Sequence, residues 1–165
     1  MSDVIQVFVT GGTFDKMYNY ITGELYFKDT HLNEMFETGR CTLNIDVQTL
    51  MLVDSLEMTA DDKEIIIHNC KKVKTKKIII THGTDKMVST AETLANAKIN
   101  DKTIVLTGAM IPYAFGTSSD GFFNLGSSLA FVQILPPGVY VAMNGRYYNW
   151  DAVQKNRETG YFEEK

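Results

Sequence analysis

Two short segments carry the residue types that could do chemistry: Thr10-Gly11-Gly12-Thr13 and Thr81-His82-Gly83-Thr84-Asp85. Each offers one hydroxyl, from Thr13 or Thr84, beside glycines. Glycine lets backbone amides approach a ligand closely and aim at developing negative charge. Two hydroxyls, one aspartate and several amides suit a small polar substrate attacked at a carbonyl carbon. A threonine hydroxyl is a weak nucleophile and needs an activating neighbour. Lys16, Tyr18 and Tyr20 are candidates beside the first segment, and a hydrogen-bonded tyrosine near a cation can relay a proton. Beside the second, a lysine from elsewhere in the chain would act as base towards Thr84, with Asp85 orienting it. Either segment alone reads as a Gly-rich turn with a capping threonine. Together, at one crevice, they read as a site.

Other chemistries lose their support in the sequence. His31, His68 and His82 have no HExxH spacing and no cysteine cluster, so no metal site is expected. Gly116–Gly121 has the glycine spacing of a phosphate loop, but Phe122 stands where the lysine must be. Neither GxGxxG nor GxSxG occurs.

The elements that must position the two segments are strands. Val4–Thr10, Leu43–Val53, Lys77–Thr81, Thr103–Thr107 and Val139–Met143 are rich in β-branched residues. Several are continuous apolar runs, as in parallel strands covered on both faces. Helical patterns separate them. Thr59–Lys74 opens with a capping box and sets Ile66, Cys70 and Val73 on one face. Ser89-Thr90-Ala91-Glu92 reads as a second capping box opening a helix to about Ala97, and a third helix fits Phe123–Gln133 before Pro136-Pro137-Gly138. Alternating strands and helices predict an α/β fold: a mostly parallel, three-layer αβα sheet of flavodoxin-like order 2-1-3-4-5. Strands one and three are then neighbours at the switch point, and the two threonine segments face one crevice. Tyr18–Phe27 reads as a β-hairpin lid turning on Thr22-Gly23 after the first strand, with a short helix near Leu32–Phe36. The lysine-rich run 71–77 falls where a helix ends and reads as a solvated helix C-terminus.

Composition sets the outer bounds. The 165 residues hold 16 Lys+Arg against 20 Asp+Glu, for a net charge of −4, and 44% are hydrophobic. That is one domain's length, able to bury roughly 70% of its unfolded surface. The acidic balance argues against nucleic acid, and no apolar run approaches the roughly 20 residues that span a bilayer. The N-terminal segment has no basic n-region, so a signal peptide is not expected and the chain reads as cytoplasmic. Cys41 and Cys70 form no CxxC and read as free thiols.

The motifs also have a familiar order. Thr10–Asp15 (TGGTFD), Thr81–Asp85 (THGTD), Gly108–Pro112 and Ser119–Leu125 resemble, in sequence, the signatures of the bacterial-type L-asparaginase family. The resemblance covers essentially the whole chain, read as a single domain over residues 1–165 that is similar to the family's N-terminal catalytic domain, with the smaller C-terminal domain absent. It implies hydrolysis of a side-chain amide of asparagine or glutamine, releasing ammonia through a threonine acyl-enzyme without a cofactor. Carried over by motif, Thr13 is the nucleophile. Thr84 and Asp85 are the second threonine and its aspartate, which also holds the substrate's α-amino group. Ser55 holds the α-carboxylate, and the substrate-binding set is Gly12, Ser55, Glu57, Gly83 and Asp85. Tyr18, nearer Thr13 than Tyr20, is the preferred proton relay.

Two departures stand out. Leu56 replaces the glutamine that usually follows the serine. The resemblance implies a catalytic lysine on the helix after Ser119–Leu125, yet no lysine lies in Phe123–Pro137; the nearest replacement in sequence is Lys155, for which a structural surface lysine is the alternative reading. Two further readings follow: an aspartate- or asparagine-binding module with weak or no catalysis, and the amidase subunit of a larger amidotransferase. A homodimer or higher homo-oligomer is expected, because a chain of half the family's length still has to close its site.

Overall fold

A computed structural model describes residues 3–165; the first two residues of the N-terminal segment lie outside the described residues. Six strands form one sheet in the order β4-β1-β5-β6-β7-β8. They are β1 (Ile5–Gly11), β4 (Ile45–Val53), β5 (Lys77–Thr81), β6 (Thr103–Thr107), β7 (Gly138–Met143) and β8 (Arg146–Asn149). The first five pair in parallel in the expected 2-1-3-4-5 order, and β8 adds an antiparallel edge.

Side-chain alternation splits the core in two, because successive residues of a strand point to opposite faces. Phe8, Ile78, Ile80, Ile104, Leu106 and Val141 pack against Ile66, Ile67 and Cys70 of α2 (Ala60–Lys72) and Met87, Ala91 and Leu94 of α3 (Met87–Asn96). On the other face Val7, Val9, Ile79, Val105 and Ala142 meet Leu32 and Met35 of α1 (Leu32–Thr38) and Leu125 and Val132 of α4 (Gly121–Ile134). This is the expected three-layer αβα arrangement. No described helix is long and apolar enough to cross a membrane.

The capping box at Thr59 forms as expected: its hydroxyl accepts the Asp62 N–H, and the Asp62 carboxylate accepts the Thr59 N–H. The second expected box does not form. Helix α3 already begins at Met87, so Ser89 lies in its first turn, where its hydroxyl accepts a hydrogen bond from Lys63 Nζ at 2.8 Å. The hairpin after β1 is present as β2 (Met17–Asn19) and β3 (Glu24–Tyr26), with Gly23 at φ 74° in its turn. Residues beyond β7 were not expected to be regular, yet β9 (Val153–Lys155) and β10 (Phe162–Glu164) make a second small hairpin. Val153 and Phe162 are buried against the α3 face, which anchors that hairpin to the sheet.

Candidate active site

Three loops leave the carboxyl ends of the neighbouring strands β4, β1 and β5 and nest into one another. A Cβ built on Gly12, at φ +75°, would lie 2.4 Å from the Gly83 nitrogen. One on Gly83 would lie 2.6 Å from both Cβ and Oγ of Ser55. Glycine is therefore required at both positions, since real side chains do not approach so closely. The contact sets Thr13, Thr84 and Ser55 each next to the same three-loop junction, at the topological switch point.

Behind the junction, hydrogen bonds tie these segments to the neighbouring strands. Thr10 Oγ1 donates to the Thr81 carbonyl at 2.7 Å, and the His82 N–H to the Thr107 carbonyl at 2.9 Å. The Gly12 N–H donates to the Val53 carbonyl at 2.9 Å, so it is not free to hold an oxyanion. His82 is fully buried between the Gly83 carbonyl, 2.7 Å from Nδ1, and the Thr90 hydroxyl, 2.8 Å from Nε2. An N–H on Nδ1 and an acceptor at Nε2 satisfy both contacts, and burial pushes the imidazole down to about 4. His82 is thus a neutral strut of the loop.

The second threonine has the partners that the sequence could only guess at. Lys155 Nζ donates to Thr84 Oγ1 at 2.8 Å and to Asp85 Oδ1 at 3.0 Å. The lysine stands on β9, and the Asn156 N–H and the Lys165 N–H tie the strand pair closed through Tyr161 and Ala152. With its ammonium used as donor, the Thr84 hydroxyl keeps its own proton available to the crevice. Arg157 reaches the same aspartate, donating from one guanidinium nitrogen to Oδ1 at 2.9 Å and from another to the backbone carbonyl at 3.2 Å. The hydrogen bond from Lys155, then its charge and those of Arg157, holds the Asp85 carboxyl below the usual carboxylate range. Arg157 was not expected. It stands in the turn that follows β9, and only the folding of that turn against Asp85 brings it to the site, so its position along the chain carried no local signal.

Around Thr13 the picture is more open. Thr13 begins a 3-10 turn, Thr13–Asp15, and is half-buried. Asp15 at the end of that turn is fully buried; its Oδ1 accepts the Thr30 hydroxyl and the His31 N–H, each at 3.0 Å, and so closes the base of the β2–β3 hairpin. Its Oδ2 has no partner among the described residues, and burial pushes its carboxyl up. Lys16 is occupied by Asp54 at 2.8 Å and lies over the Phe27 ring. This leaves Lys16 holding the hairpin to the Ser55 turn.

Tyr18 rides on β2, 49% exposed, edge-on to Phe115 with ring centres 5.9 Å apart. Its hydroxyl points towards the hairpin turn, 3.9 Å from where a Cβ of Gly23 would be, and makes no hydrogen bond to Thr13. Tyr20 is 85% exposed. In the turn after β4, Ser55 is buried and its Oγ accepts the Lys86 N–H at 3.2 Å, whereas Leu56 and Glu57 face solvent. The geometry thus brings together Gly12, Ser55, Gly83, Thr84, Asp85 and Lys155. It leaves Tyr18 and Glu57 outside the cluster.

The Gly108–Pro112 and Ser119–Leu125 motifs have a positioning role. Asp120 accepts the Met110 and Ile111 N–H groups at 2.9–3.0 Å, and Asn124 donates to the Gly108 carbonyl while accepting the Asn144 N–H. Asn144 in turn accepts the Phe162 N–H at 2.9 Å, linking this loop to the hairpin that carries Lys155. No group of three or more potential metal ligands occurs among the described residues.

Known proteins are similar to this chain in sequence and in fold. The model of the asparaginase N-terminal domain matches residues 4–162. L-asparaginase 1 of Escherichia coli K12 is 30% identical over 166 aligned positions, covering 95% of this chain and 48% of the relative. A glutaminase-asparaginase of Acinetobacter glutaminasificans is 42% identical over 110 positions, covering 65% of this chain and 32% of the relative. A component of the glutamyl-tRNA(Gln) amidotransferase of Methanococcus vannielii is 32% identical over 152 positions, 86% and 34% of the two chains. Among solved structures, the thermostable L-asparaginase of Thermococcus kodakarensis superposes with a TM-score of 0.84 at 25% identity, covering 98% of this chain and 51% of the other. A probable cytoplasmic L-asparaginase of Campylobacter jejuni gives 0.81 at 27%, covering 99% and 53%. The chain spans between a third and a half of the length of these curated relatives. It belongs to the asparaginase family, whose N-terminal domain it matches over residues 4–162.

Proposed function

We propose that this chain is the catalytic part of an amidohydrolase that converts the side-chain amide of asparagine, or of glutamine, to the acid and ammonia. The observation that carries this is the Lys155–Thr84–Asp85 group, joined at 2.8 and 3.0 Å, beside the Gly12–Gly83 contact that sets Thr13 at the same junction. Thr13 Oγ1 attacks the carboxamide carbon, the C–N bond breaks as the nitrogen takes a proton, and water hydrolyses the resulting ester. Lys155 and Thr84 move protons for both steps, with Asp85 orienting the ammonium. Because the Gly12 N–H is already bonded, the oxyanion falls to the N–H groups of Thr13 and Thr84. Ser55 and Gly83 border the substrate's carboxylate. Tyr18 acts as relay once the hairpin folds over bound substrate, a lid movement that brings it from Phe115 towards Thr13.

No cofactor enters this chemistry. The protein works in the cytoplasm, as the probable cytoplasmic enzyme of Campylobacter jejuni is named to do, and as a homodimer or larger homo-oligomer. Ammonia release over a panel of small amides tests the reading. Release from asparagine or glutamine supports it, and none from any amide contradicts it. The likeness to an amidotransferase component favours a second reading, service to transfer-RNA amidation, which co-purification with a partner subunit would support.

A further inference from the structure

The acidic group of the crevice carries more positive charge than it needs. Asp85 Oδ1 accepts from both Lys155 and Arg157, while Oδ2 has no hydrogen-bond partner among the described residues. One carboxylate against two cations leaves the cluster at +1. The other carboxylates on these loops offer little relief: Asp54 is paired with Lys16, Asp15 is turned into the interior, and Glu57 on the Ser55 turn and Glu158 beside Arg157 both stand exposed, neither in an ion pair with Lys155 or Arg157 among the described residues. Arg157 is itself 62% exposed and spends only two of its five N–H donors on Asp85. Its remaining donors are left for a ligand or for water.

An ammonium arriving at Asp85 meets these two cations, whereas a neutral or acylated nitrogen does not. Resting on the amidohydrolase reading above, we infer that Arg157 is a specificity-determining residue. It biases the site towards side-chain amides without a free α-ammonium: monoamides of dicarboxylic acids and N-acylated asparagine. Like-charge juxtaposition at a binding site selects against the wrong ligand more than it strengthens the right one.

The test compares succinamate and asparagine as substrates for wild type, Arg157→Gln and Arg157→Lys. In wild type the kcat/KM for succinamate equals or exceeds that for asparagine. Arg157→Gln shifts the ratio towards asparagine by roughly threefold to tenfold, and Arg157→Lys keeps the wild-type preference. A ratio unchanged within about twofold by Arg157→Gln overturns the inference, since partly exposed pairs of this kind are worth that much or more where they matter. If no substrate yields ammonia, calorimetric titration with the product acids decides separately. Tighter binding of succinate than of aspartate, reversed in Arg157→Gln, supports the inference although the hydrolase reading has failed. Equal binding of the two acids, or binding of neither, overturns it.

Discussion

Lys155 donates a 2.8 Å hydrogen bond to Thr84 although 71 positions separate them in the chain. The bond joins a loop at the switch point of the sheet to a hairpin at the far end of the sequence, and proton transfer in the proposed mechanism depends on it. Lys155→Met should lower turnover by roughly 10²–10⁴-fold, the usual contribution of a positioned acid or base. Lys155→Arg should not restore it, because a guanidinium keeps its proton. Steady-state ammonia release on both variants, with circular dichroism showing an intact fold, checks this.

The loop junction predicts a sharp difference between glycines. Gly12→Ala forces a Cβ to within 2.4 Å of the Gly83 backbone at φ +75° and should cost about 3 kcal/mol of stability together with activity. Gly126→Ala sits inside α4, where a Cβ meets nothing within 4 Å. It should raise stability by about 0.5–1 kcal/mol and leave turnover unchanged. Urea denaturation of the two variants measures both effects.

Acid titration should separate two aspartates. Asp85 is held below the usual range by Lys155 and Arg157, so the stability it adds is present above its ordinary value of 3.8 and is lost as pH falls through its depressed value. Asp15 is pushed up by burial, so its effect has the opposite sign: the folded state binds its proton more tightly, and stability declines as pH rises from 3.8 towards the raised value. Removing the Lys155 ammonium in Lys155→Met should therefore flatten the acid limb of the melting-temperature profile below about pH 4. Asp15→Asn should flatten the profile just above that pH instead. Thermal melts across pH 2–6, within the ordinary carboxylate range, check the signs.

His82 should stay neutral well into acid. With its imidazole lowered from 6.5 to about 4, the folded state binds fewer protons than the unfolded chain, so stability falls as pH drops from 6.5 and levels off below about 4. NMR titration of the ring should give a midpoint near 4 with the proton on Nδ1. His82→Ala leaves the Gly83 carbonyl and Thr90 hydroxyl unpaired and opens a cavity, at a cost of about 3 kcal/mol.

Strand runs such as Lys77–Thr81 could be read from the sequence because both faces are covered and nearly every residue is apolar or β-branched. The threonine loops were legible for a similar reason: their glycines answer to a close approach that admits no side chain. Ser89 misled because a capping box also occurs inside a helix, where a partner such as Lys63 can claim the hydroxyl instead. The last 20 residues hid their order because β8, β9 and β10 are three or four residues long, and two of them pair only with each other. Lys155 could be nominated through the family resemblance as the nearest replacement in sequence, but its partnership with Thr84 is a tertiary fact. Arg157 and the Lys16–Asp54 pair depend on the same long-range packing and left no local signal.

The central claim is that the Thr13 hydroxyl attacks the amide carbon. Ammonia release from asparagine by wild type and Thr13→Ala, measured in parallel, tests it most directly. The account predicts steady release by wild type and a loss of roughly 10³-fold or more in a folded Thr13→Ala protein, since covalent catalysis has no substitute nucleophile there. Equal release by the two proteins would contradict it.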